Sequence, residues 1–335
     1  MNILIFSQHF WPETFRINEI ATELSKKNKV YVVSAWPNYN MKSKKKIFCY
    51  GVEKYNNIKI IRVPTIKRKS NNFFNIIFNY LSFIIFGIFP SQDKFDNTKF
   101  DVVISYATSP IYQAIPAIIY SKRKKIPIFL WVQDVWPDVL KDLNIIKNKL
   151  IIKILNKSIK FLYNNCDYIL AQSLSIKKIL RKNFNNVYLA YNPSNIRKFK
   201  KKKLGTKIKK ITFAGNVGKA QALEKLINFG IFIKKEKIPL QFEIIGEGSN
   251  KKNLQLIIKK KKLDKVVIFK PFMKQEILEK YILNSDGFLV SLGKGSALSA
   301  TIPAKFQTYV AYGKPIFVFS KNIVAEIIKK YNIGF

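Results

Sequence analysis

At 335 residues the chain is long enough for two domains of ordinary size, each with its own core. Hydrophobic residues make up 48% and aromatics 14%, which excludes a disordered tail, and two cysteines, Cys49 and Cys166, exclude a disulfide framework. With 60 Lys and Arg against 20 Asp and Glu the net charge is +40, which points to an anionic partner such as nucleic acid or a lipid surface. A compositional origin stands beside that reading. The chain is also rich in Ile, Asn, Phe and Tyr, which an AT-rich coding sequence favours together with Lys.

The opening MNILIFS has no basic leader and turns polar at Ser7 and Gln8. It reads as a buried first strand over 3–6, not as a signal peptide. A helix is expected over 13–27 and strands over 29–34 and 58–64. Residues 70–92 carry no charge, and 73–89 are almost wholly apolar. That length sits at the bottom of the roughly 17–25 residues a spanning helix needs. Asn75, Asn79 and Ser82 share one helical face, so the pattern is amphipathic, and Pro90 ends it. Its bed is left open between the protein core, a bilayer surface and the bilayer interior.

Alternation of strands and helices continues, with strands over 102–105, 127–133, 168–171 and 187–191 and helices over 110–120, 150–164 and 174–182. This makes one Rossmann-like unit over residues 1–193. Residues 194–210 are basic with few apolar side chains and read as a linker. The alternation restarts over 211–335, with strands expected at 210–214, 240–245, 266–269, 287–291 and 316–319. Helices are expected at 222–235, 251–260, 274–283 and 323–330, with a short one starting near Pro303 and ended by Gly313. This second unit looks unfinished, either naturally short or part of a longer chain. The expected fold class is α/β, two Rossmann-like domains facing across a cleft, because ligands of such sheets bind beyond the carboxyl ends of the strands.

The turns after the strands carry the candidate chemistry. The first, Ser7 to Pro12, has no glycine, which argues against a dinucleotide site. In the second unit Ala214-Gly215-Asn216-Val217-Gly218-Lys219 is not a Walker A loop, yet its small residues and lysine suit an anion nest. Gly246-Glu247-Gly248 repeats the theme, and Lys305 falls in the first turn of the helix after Pro303, where backbone N–H groups favour an anion. Glycines also simply make turns. In the first unit the turns at 36–39, 106–110 and 131–138 mix aromatics with polar groups. Asp134 lies between two tryptophans and either serves the site or caps its turn. His9, the sole histidine, is either structural or part of a site at the first strand end. No His, Cys and carboxylate spacing suits a metal, and no GxSxG elbow is present.

Taken together, SQHFWPETFRINEIATEL (7–24), WPNYN (36–40), NYLSF (79–83), WVQDVWPD (131–138), FAGNVGKAQALEKLI (213–227), IGEG (245–248) and TIPAKFQTYVAYGKP (301–315) resemble the retaining glycosyltransferases of the GT-B fold, family 4. More narrowly they resemble the WbuB-like group of N-acetyl-L-fucosamine and colanic acid transferases. The resemblance implies a nucleotide-sugar donor, usually UDP-linked, held by the second domain. Gly215, Asn216, Gly218, Gly246, Phe272, Met273, Pro303 and Thr308 would line the donor, and Lys219 and Lys305 would meet its diphosphate, acting with Asp134. The first domain would hold an undecaprenyl-diphosphate-linked saccharide through His9, Trp11, Glu13, Arg16, Asn38, Tyr39 and Gln133.

The reaction would need no metal and no cofactor, the location would be a cytoplasmic protein peripheral to an anionic inner-membrane surface, and nucleic acid would not be a partner. The chain departs from the common pattern at Ala300 and Thr308, where many members have glutamates, at Gln133, where many have His, and at Asn216, where Arg is usual. Full-length members also continue with a helix returning to the first domain. The alternatives are a UDP-sugar 2-epimerase of the same fold and an inactive fragment.

Overall fold

The computed structural model describes residues 1–38, 48–67, 73–90, 92–194 and 208–335. Tyr39 and most of the expected linker fall outside these. The chain divides into two compact units, Met1–Leu140 with Ile146–Pro193, and Lys141–Ile145 with Ser194–Phe335.

In the first unit the elements run β1 (Asn2–Phe6), α1 (Arg16–Leu24), β2 (Lys29–Ala35), β3 (Gly51–Tyr55), β4 (Ile58–Val63), α2 (Phe73–Gly87), β5 (Val102–Ala107), α3 (Ile115–Lys124), β6 (Ile128–Val132), α4 (Asp138–Asp142), α5 (Lys149–Asn164), β7 (Tyr168–Ala171), α6 (Leu174–Arg181) and β8 (Val187–Leu189). The last residues of α4 belong to the second unit. Among the described residues the sheet order is β3-β4-β2-β1-β5-β6-β7-β8. All neighbours are parallel except β3, which pairs antiparallel with β4. Inner strands such as Ile3-Leu4-Ile5-Phe6 are buried on both faces, as parallel strands covered by helices must be. The sequence gives no apolar run for β3, because Gly51-Val52-Glu53-Lys54-Tyr55 is an edge strand with charges.

The expected helix over 13–27 is shorter at both ends. The expected helix over 110–120 is a 3-10 turn at 111–114 followed by α3. The apolar helix at 73–87 forms as read, but its polar face is turned inward: Asn79 and Ser82 are buried.

The second unit runs β9 (Lys210–Ala214), α7 (Lys225–Lys235), β10 (Gln241–Ile245), α8 (Lys251–Lys260), β11 (Val267–Lys270), α9 (Gln275–Ile282), β12 (Gly287–Val290), α10 (Ser296–Ala300), α11 (Ala304–Ala311), β13 (Ile316–Val318) and α12 (Ile323–Tyr331). Its parallel sheet has the order β11-β10-β9-β12-β13. One apolar cluster, around Phe213, Phe242 and Leu254, fills one face, and another, around Phe288, Phe306 and Tyr309, fills the other. The strand order reverses between β1 and β5 in the first unit and between β9 and β12 in the second. Such switch points open crevices at the carboxyl ends of the strands, where ligands bind in open α/β sheets.

Candidate functional site

At the end of β9 two turns meet backbone to backbone. Gly215 and Gly246 adopt φ of +140° and +152°, in the region that favours glycine. A β-carbon on Gly246 would run into the carbonyl oxygen of Gly215, and one on Gly248 into that of Val217. The close approach is fixed by Gly215 N–H donating to the Ile245 carbonyl at 2.9 Å and Val217 N–H to that of Glu247 at 2.8 Å. Gly218 N–H donates to the Gln221 side chain at 3.1 Å and so serves the turn itself. Asn216 and Lys219 are exposed beside it.

Helix α11 is docked against this rim by Tyr309. Its ring stacks on Phe288 with centroids 4.4 Å apart, and its hydroxyl accepts from Ala214 N–H at 2.8 Å. Pro303, extended at φ −68° and ψ 142°, starts the helix with no side-chain cap, and Gly313 follows its end at φ +64°. This geometry aims Lys305 at the rim. Its ammonium is buried and has no hydrogen-bond acceptor among the described residues. It lies 3.5 Å from the centroid of the Phe213 ring, a cation–π contact, and 3.0 Å from where a β-carbon of residue 215 would stand. Loss of water pushes its pKa down to about 7. Met273 packs into the core beside Phe288, while Phe272 is exposed. Thr308 bonds back to the Ala304 carbonyl at 3.2 Å. The structure thus brings Gly215, Gly246, Pro303 and Lys305 together.

Three supports of this unit were not readable from the sequence. Lys225 donates to the carbonyls of Leu292 and Phe319 at 2.8 and 2.6 Å, bracing the loop after β12. Asp142 accepts from the N–H groups of Ala297 and Leu298 at 2.8 and 3.0 Å, filling the start of α10. Tyr309 lay within a motif read for its proline, lysine and glycine, and only its partners reveal its role.

In the first unit the turn after β1 builds a polar chain. His9 Nδ1 lies 2.8 Å from Glu13 Oε2, both side chains buried, and the His9 ring stacks on Phe15. The other Glu13 oxygen accepts from Asn38 N–H at 2.7 Å. Asn79 donates to Asn38 Oδ1 at 3.2 Å and accepts from Gln8 at 3.0 Å. Arg16 pairs with Glu19 at 2.5 Å. Trp11 stacks on Tyr55 and accepts, through its carbonyl, from the buried Arg62. Asp134 accepts from the Ser109 hydroxyl at 2.8 Å, and Ser109 in turn accepts from Trp136 Nε1 at 2.9 Å. Burial raises the Asp134 pKa, opposed by the Ser109 bond. Gln133 accepts from Asn192 at 2.7 Å.

Residues 194–335 match the family described as Glycosyl transferases group 1. Solved structures similar to nearly the whole chain include the lipopolysaccharide outer core galactosyltransferase WaaB in its apo form, at 15% identity and a TM-score of 0.57, covering 99% of this chain and 89% of that one. The sucrose-phosphate synthase of Thermosynechococcus elongatus is 12% identical at a TM-score of 0.70, covering 100% and 85%. The Anabaena protein HepE in complex with UDP-glucose is 12% identical at 0.63, covering 98% and 82%. At such identities the likeness is one of fold. No curated protein matches the chain in sequence. Residues 194–335 thus resemble the glycosyl transferases group 1 family, in a chain with the α/β fold of the GT-B glycosyltransferases.

Proposed function

We propose that the chain is a retaining glycosyltransferase that moves a sugar from a nucleotide donor, UDP-linked, to a lipid-linked saccharide in the assembly of O-antigen, capsule or exopolysaccharide. The observation that carries this reading is the Lys305 ammonium, buried without an acceptor among the described residues beside the Gly215 turn at the strand-end switch point. An anion is the partner such a group lacks. A nucleotide-sugar diphosphate supplies one, and its negative charge grows as the sugar leaves. Lys305, the first turn of α11 and the exposed Lys219 would stabilise that charge. The solved structure of HepE with UDP-glucose supports the donor class, and the WaaB likeness supports a saccharide-assembly role.

The first unit would hold the acceptor along His9, Trp11, Glu13, Arg16, Asn38 and Gln133, with Asp134 close by in the same turn as Gln133. A glutamine at 133, where many related enzymes have histidine, suits a donor whose sugar lacks a 6-hydroxyl, such as N-acetyl-L-fucosamine. The protein would work peripherally at an anionic inner-membrane surface.

A thermal-shift screen of UDP, GDP, ADP and their sugars tests the reading. UDP at 100 times its dissociation constant should add about 2.7 kcal/mol to stability. Lys305→Ala should abolish the shift. A shift that survives Lys305→Ala would remove Lys305 from the site, and no shift with any nucleotide would remove the donor reading.

A further inference from the structure

Helix α2 is built inside out. Asn79 and Ser82 point into the first unit, where Asn79 donates to the Ile66 carbonyl at 2.6 Å and Ser82 accepts from Ile66 N–H at 2.9 Å. The outer face carries Phe78, Leu81 and Ile85, exposed by 51%, 45% and 52%, at i, i+3 and i+7 spacing. A helix facing water has the opposite order. Helix α5 repeats the exposure. Leu150, Ile154 and Phe161 lie on one line of its surface, exposed by 65%, 60% and 68%. Lys153, Lys157 and Lys160 are exposed along the same side.

The two helices share a floor, since both pack on the turn at 111–114. Tyr112 in that turn shares a hydrogen bond with Ser158 of α5 at 2.6 Å. Gly87 at the end of α2 lies so close to Pro116 that a β-carbon there would be 2.9 Å from its ring. Neither helix contains an acidic residue, and α5 contains four lysines. Among the described residues no helix is long and apolar enough to cross a membrane.

We propose that the outer faces of α2 and α5 form one docking surface for an anionic bilayer, the apolar side chains entering the headgroup boundary and the α5 lysines meeting lipid phosphates. Two exposed apolar stripes in one unit are more than scattered surface hydrophobics. An apolar stripe flanked by lysines fits an interface that is apolar inside and anionic at its rim. The proposal deepens the peripheral placement given above, and its test uses neither donor nor acceptor, so it can fail while the transferase reading stands.

The test is co-sedimentation of the full chain with phosphatidylglycerol/phosphatidylethanolamine vesicles and with phosphatidylcholine vesicles. Binding to the anionic vesicles is expected to exceed that to the neutral ones. Phe78→Gln with Ile85→Gln, and separately Ile154→Gln with Phe161→Gln, should each lower partitioning by at least about tenfold. Lys153→Gln with Lys157→Gln and Lys160→Gln should lower it roughly fivefold per lysine, and about 0.5 M salt should act in the same direction. Unchanged melting temperature and circular dichroism would show that these variants fold. The proposal is overturned if the wild-type chain stays in the supernatant. It is overturned equally if the apolar variants bind like wild type, which is adsorption by charge alone. A concentration-dependent dimer that the same substitutions dissociate would make the occupant a second copy and also overturn it.

Discussion

His9, Glu13, Asn38 and Asn79 are linked by hydrogen bonds inside the first unit, whereas Lys305 in the second is buried against the face of Phe213 with no hydrogen-bond acceptor among the described residues. The first arrangement pairs these four side chains with one another and so holds a shape in the absence of any ligand. The second leaves a cation short of an acceptor among the described residues, a cost to the folded state that an arriving anion relieves. Polar side chains that pair with one another support a site; a buried cation that lacks a partner names the missing ligand by its charge.

The largest expected effect separates these roles. Lys305→Met should lower kcat by about 10²–10³, the range for loss of one preorganised charge-stabilising group. It should also raise the melting temperature, because a desolvated cation is replaced by an apolar chain. A fall in melting temperature would mean the ammonium is structural and the contrast with the His9 cluster is false. Glu13→Ala should do the reverse. It strips Asn38 N–H and His9 of their partner and should cost about 1–3 kcal/mol in denaturant unfolding, while the UDP-induced shift persists.

The smallest effect per step is in pH, at most about 1.4 kcal/mol for each unit. The Lys305 pKa is near 7 when folded, against an ordinary 10.5. Between those values the unfolded chain binds more protons, so stability of the ligand-free protein should rise with pH through that window. A bound diphosphate favours the charged lysine, so UDP binding takes up a proton and its affinity should fall by up to about tenfold per unit above pH 7. Calorimetry at pH 8 in buffers of different ionisation enthalpy would measure that uptake. In Lys305→Met both slopes should vanish.

Much of the frame was legible because parallel strands announce themselves as short apolar runs and helix ends as proline and glycine. Pro303 and Gly313 flank α11 as read. The charged edge strand β3 offered no apolar run. Helices α4 and α10, five residues each, are too short for a periodic pattern. Periodicity found the polar stripe of α2 but carries no information on which side faces out; that follows from Ile66 and Asn38, far along the chain. The same holds for Lys305. Its place in a helix start was readable, but its burial depends on Phe213, about ninety residues earlier, and the sheet alone brings them together.

The contact of Gly215 with Gly246 has a further consequence for how this protein can change. Where two turns touch through their main chains, the mouth between them is walled by atoms that every amino acid shares. Substitution cannot reshape such a wall without breaking it, since any β-carbon at 246 meets a carbonyl oxygen. If the mouth holds the proposed donor, new preferences would have to arise from side chains around it, the exposed Asn216 among them, with the mouth itself left as it is.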